Sequence, residues 1–151
     1  MWNKNKSVIL SQVIIKVMYL LIVLCCIAAP ALVKHYDEKV ILEAGLESVF
    51  VPLLVTLYCC VPPATTALIS LDLLLFNIQR GEIFIKKNVG YLRIISWCCF
   101  LGSAIFLYFS TLRPFALAIV VVAAFLGIIL RVVKNCFEEA ITLREENDFT
   151  I

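Results

Sequence analysis

Apolar residues run almost unbroken through four stretches of the chain, at about 8–33, 49–78, 89–109 and 115–133, and polar residues collect between them. Each stretch meets or exceeds the ~20 residues a helix needs to cross bilayer hydrocarbon. The pattern therefore predicts an all-α, polytopic membrane protein. A single domain over 1–151 forms a four-transmembrane-helix bundle, and its last helix continues past the membrane through 134–151.

Finer features place the ends and bends of these helices. Gln12 and Lys16 lie four apart on one face, so Lys16 can extend its ammonium to the headgroups while its stem stays in apolar surroundings. The connection 34–48 leaves the membrane and has room for a brief amphipathic helix through Val40, Ile41, Ala44 and Leu46. The second stretch is overlong: from Ser48 to Gln79 a helix would rise roughly 48 Å. Pro62 and Pro63 lack the N–H that the carbonyls of Tyr58 and Cys59 need, which predicts a kink there. Thr65 and Thr66 stand nearby with hydroxyls to satisfy the local backbone. Gly81 reads as a helix stop and Asn88 as the cap of the third helix. Gly102-Ser103-Ala104 predicts a close helix contact. The tight turn 110–114 makes the third and fourth spans antiparallel neighbours. Beyond the fourth, apolar residues recur at Ile129, Val133, Cys136, Phe137 and Ala140, close to helical period, and Lys134 and Glu138 can pair across one turn.

Composition agrees with this pattern. Apolar residues make up 63% of the chain, against ~45–50% in soluble domains, and no polar segment is long enough for a core of its own. Charge sets the expected orientation. Basic residues gather at Lys4 and Lys6, at Arg80, Lys86, Lys87 and Arg93, and at Arg131, Lys134 and Arg144. Lysine and arginine in short loops stay inside, so both termini and the middle loop are expected to be cytoplasmic in a cell membrane. The first span resembles a secretory signal in its lysines and in Ala28-Ala29-Pro30-Ala31. It is longer than the ~7–15 apolar residues of such a signal, and a retained span is the preferred reading.

Candidate chemistry is sparse. Six of the seven cysteines form adjacent pairs, Cys25-Cys26, Cys59-Cys60 and Cys98-Cys99, and none has the two-residue gap of a redox or zinc motif. They read as small packing residues, with a membrane thiol oxidoreductase as a remote alternative should two pairs face each other. His35, beside Asp37 and Glu38, reads as solvated loop. Asp72 is an intramembrane polar candidate, read as a structural ion pair with Arg80, Lys16 or Arg131. No metal set, cofactor motif or phosphate loop is present in the sequence, and the basic residues suit anionic lipid better than nucleic acid.

Two segments carry a resemblance. Gly81-Glu82-Ile83-Phe84 with Asn88, Leu92 and Arg93 resembles the signature G-x-x-F-x-x-x-N-x-x-x-L-R. The closing Glu145-Glu146-Asn147-Asp148-Phe149-Thr150-Ile151 resembles E-E-N-D-x-T-I, with Phe149 where leucine is more usual. Both are features of a family of small bacterial four-span membrane proteins of unknown function, often encoded beside helix-turn-helix regulators. The resemblance implies a non-enzymatic regulatory or sensory protein that docks a cytoplasmic helix-turn-helix regulator. Phe84, Asn88, Arg93, Glu145, Glu146, Asn147, Asp148, Phe149, Thr150 and Ile151 are the candidate contacts. Arg93 is expected to receive Glu146, Asp148 or the terminal carboxylate, within the protein or around the partner. The alternative is a small transporter or channel subunit acting as a homo-oligomer, with Asp72 and the Pro62-Pro63 bend lining its route.

Overall fold

The computed structural model describes the backbone of residues 4–45 and 47–148, and the side chains of 10–42, 45 and 47–147. Four helices follow in order: α1 Lys4–Ala44, α2 Phe50–Gln79, α3 Lys86–Ser110 and α4 Ala116–Asp148, with no strand among the described residues. All four are long and apolar enough to cross a membrane. Charged side chains bracket the apolar lengths. Lys16 to Lys34 on the first helix rises about 27 Å, close to the ~30 Å of bilayer hydrocarbon, and Arg131 closes the apolar length of the last.

The first helix is longer than its apolar stretch. The connection expected to hold a separate short helix is instead a continuation of α1, which runs 41 residues to Ala44. The segment 34–44 contains no glycine or proline to stop it, and Lys34 and Glu38 pair on its surface at 3.9 Å. Val33 and Asp37, also four apart, turn inward and are buried.

α2 continues as one helix through Pro62 and Pro63. The Thr65 hydroxyl donates to the carbonyls of Val61 (3.0 Å) and Pro62 (2.9 Å), and Thr66 donates to Pro62 (2.8 Å). The carbonyls deprived by the prolines are those of Tyr58 and Cys59, a turn earlier. The threonines thus reinforce the turn after the break instead of replacing the missing donors.

Helices pack in chain order, α1 on α2, α2 on α3 and α3 on α4, and among the described residues no other pair of helices comes close. The result is an open row. Its tightest contact is the α3–α4 hairpin, where Ser96 donates to the Gly127 carbonyl (2.8 Å) and Ser103 to that of Val120 (3.1 Å). A Cβ at Gly127 would lie 3.0 Å from the Phe100 ring, so this glycine sets the approach. Of the expected Gly102-Ser103-Ala104 contact only Ser103 takes part; Gly102 faces open space and Ala104 is exposed. Successive helical residues point about 100° apart, so three in a row cannot all meet one partner.

At the end holding the α3–α4 turn, Val49, Phe109 and Ala116 form a small buried cluster with Tyr36, Leu53 and Phe106 packed against it. Here α1 reaches the hairpin.

Candidate functional site

The α2–α3 loop is built around one amide. α2 ends in a Schellman turn: Gly81 N–H donates to Ile78 (3.1 Å) and Glu82 N–H to Asn77 (3.0 Å). Gly81 adopts φ +84°, open to glycine without strain. Asn88 then closes the loop. It is 0% exposed, and its Nδ2 donates to the carbonyls of Glu82 and Ile83, both at 2.8 Å. Its Oδ1 accepts from Asn77 Nδ2 at 2.7 Å. Both amide hydrogens and the amide oxygen are used. Asn88 is therefore a clamp and not the helix cap expected of it: α3 begins at Lys86 with Ile85 in the cap position. That placement puts Asn88 in the first turn, with its side chain directed back beneath the loop.

The loop leans on the far part of α4. Phe84 packs on Phe137 with ring centroids 5.5 Å apart, and Ile141 is buried. Lys86 pairs with Glu145 at 2.9 Å. Arg93 pairs with Glu138 at 3.3 Å, and Glu138 also takes Lys134 at 2.5 Å, the pair expected from their spacing. Exposed pairs of this kind contribute ~0–1 kcal/mol each. The ring contact and the burial of Ile141 hold the two elements together, and the charges set their register. Glu138 lies seven residues past Arg131, in the charged part of α4, and its carboxyl is held below the ordinary range, first by the Lys134 hydrogen bond.

Of the sequence candidates, Phe84, Asn88, Arg93 and Glu145 meet in this platform. Arg93 receives Glu138, because α4 brings residue 138 level with the first turns of α3. Glu146 and Asn147 are exposed near the end of α4. The Asp148 side chain and the whole of Phe149, Thr150 and Ile151 lie outside the described residues.

Asp72 is half-buried, and Tyr19 of α1 stands within its electrostatic reach. Two of the three cations proposed for it are directed elsewhere: Arg80 lies over the Phe76 ring (4.2 Å), and Arg131 over Trp97 (5.0 Å) and Phe100 (5.7 Å). Among the described residues no ion pair reaches Asp72.

Two arrangements escape sequence reasoning. The first is a latch at the opposite end. The buried Asp37 carboxylate accepts from the Ser48 hydroxyl (2.5 Å) and the Val49 N–H (2.7 Å), taking the place of a cap for α2. Arg113, 9% exposed, donates to the Glu47 carbonyl at 2.7 Å, and its Nε has no partner. Asp37 lies past Lys34, and its carboxyl is held below the ordinary 3.8, foremost by Ser48, with Val49 and Arg113 assisting against burial. The missing helix cap at Ser48-Val49 was the available signal. The second is an apolar groove of about 240 Å³ between α1 and α2, lined by Met18, Cys25 and Cys26 from α1 and by Tyr58 and Cys60 from α2. All seven cysteines are free thiols, and no cluster among the described residues could hold a metal. His35 is exposed.

The profile of the family described as "Protein of unknown function (DUF2975)" matches residues 11–151. The chain belongs to this family. No curated protein and no solved structure matches it. The matched residues take in both the Gly81–Arg93 segment and the closing residues.

Proposed function

We propose that this DUF2975 protein is a non-enzymatic regulatory or sensory protein of a bacterial cell membrane, with both termini and the α2–α3 loop in the cytoplasm. There it docks a cytoplasmic partner through the loop and the far part of α4. A helix-turn-helix regulator is the partner that the family's resemblance implies. The observation that carries the reading is the brace. α4 runs about 25 Å past Arg131, and Phe84, Lys86 and Arg93 hold that extension against the loop. A helix held off the membrane by three separate contacts is preorganised for binding, and preorganisation lowers the entropic cost of association. The clustering of lysine and arginine at this end supports the orientation.

The test is a crosslinking pull-down from native membranes, comparing the full chain with one lacking 149–151 and with Phe137→Ala. Capture of a common partner by the full chain, reduced in both variants, is the expected result. Equal capture by all three would remove the loop and tail from the mechanism.

A second reading, an oligomeric transporter subunit, draws on Asp72 having no ion pair among the described residues while sitting on a half-buried helix face. It requires solute movement in liposomes that is lost in Asp72→Asn.

A further inference from the structure

The α4 extension has two faces, and only one is used by the fold. Lys134, Glu138 and Ile141 point to α3 and the loop. About 180° away, at spacings of four, three and four, lie Val132, Cys136, Glu139 and Leu143, all exposed, with Leu143 at 60%. A shallow depression follows this strip, bordered by Asn135 and Ala140. Scattered exposed apolar residues are ordinary. A run of them at helical spacing, on a helix whose other side is fixed, is a recognition surface of the helix-to-helix kind.

Charge selects the occupant. Of the basic residues of this segment, Arg131 lies over Trp97 and Lys134 is paired with Glu138, while the exposed Arg144 falls about 100° round the helix from Leu143, beside the strip and not within it. Glu139 has no ion-pair partner among the described residues. A second copy of the chain in the same membrane would run parallel, and a symmetric contact through this strip would place Glu139 against its own counterpart. We propose that Val132, Cys136, Glu139 and Leu143 form the docking strip, and that it takes an amphipathic helix of a cytoplasmic protein whose apolar stripe is bordered by lysine or arginine. This deepens the docking reading above and rests on it.

The test uses the full-length protein in zwitterionic-lipid nanodiscs, with two labelled helical peptides of identical leucine pattern as probes. One carries lysine on its polar face and the other glutamate, and empty nanodiscs report binding to lipid. The lysine peptide binds at least about tenfold more tightly, and Leu143→Asp weakens it by about tenfold or more. Glu139→Lys narrows the gap between the two peptides. A benzophenone on Cys136, with the other six cysteines replaced, crosslinks to the lysine peptide. Equal binding of both peptides, indifference to Leu143→Asp, or crosslinking to a second copy or to lipid alone would overturn the strip. In native membranes, capture that survives Leu143→Asp but needs 149–151 would overturn the strip and leave the docking reading standing. Capture indifferent to Leu143→Asp, to removal of 149–151 and to Phe137→Ala would overturn both.

Discussion

Replacing Asn88 with alanine removes the side chain that closes the α2–α3 loop from beneath. Its amide donates to two carbonyls and accepts from Asn77, all within 2.7–2.8 Å and with no exposed surface. The substitution deprives the Glu82 and Ile83 carbonyls and the Asn77 amide at once. A buried polar group left unpaired costs ~1–3 kcal/mol, and water entering from the loop surface offsets part of that, so a loss of about 2–4 kcal/mol is expected. By the tenfold-per-1.4 kcal/mol rule this is roughly a 30- to 1,000-fold rise in local opening. Hydrogen exchange followed by mass spectrometry on the protein in nanodiscs reads it at the amides of Gly81 and Glu82, which bond to Ile78 and Asn77. Asn88→Asp is a sharper variant: it keeps the size but sets an oxygen against two carbonyls, and it should open the loop at least as far. Exchange within threefold of wild type for Asn88→Ala would refute the clamp.

Other expectations follow from the same contacts. A double-mutant cycle of Phe84→Ala and Phe137→Ala, read by thermal unfolding in detergent, should give a coupling of about 0.5–1.5 kcal/mol; additive effects would deny the brace. Gly127→Ala should loosen the α3–α4 hairpin, because its new methyl meets Phe100, whereas Gly102→Ala should be neutral in the same melt. Gly81→Ala should cost about 1 kcal/mol through backbone strain alone, since nothing lies near its Cβ position. The Asp37 carboxyl is held below its ordinary value, so its contribution is present above 3.8 and is lost as pH falls further. Unfolding midpoints of wild type and Asp37→Asn should differ steadily from pH 7 to pH 5 and converge only in stronger acid.

The hydropathy pattern was enough to read four spans, because bilayer solvation depends on composition over some twenty residues and hardly on partners. Lys134 and Glu138 were readable for a similar reason: a contact one turn away needs no knowledge of the fold. Contacts across the chain were not readable. Arg113 sits 66 residues from the Glu47 carbonyl it binds, and Asp37 was taken for solvated loop beside His35. Both depend on α1 continuing unbroken to Ala44, where the pattern through Val40, Ile41 and Ala44 predicted only a brief separate helix. Asn88 was picked out by type and by motif, yet its role was misplaced by one turn of helix. A cap and a clamp use the same amide, and only the position of the loop carbonyls separates them. Arg93 pairs with Glu138, an acid the sequence reading did not weigh, because several glutamates lie within one or two turns on α4 and the hairpin register alone decides which is level.

The account rests on the far part of α4 being presented to the cell interior. Cys136, exposed on that segment, is the direct reporter when the other six cysteines are replaced. A membrane-impermeant maleimide should label it in inverted membrane vesicles and leave it untouched in intact cells. Labelling in intact cells would put the platform on the wrong side and end the docking proposal.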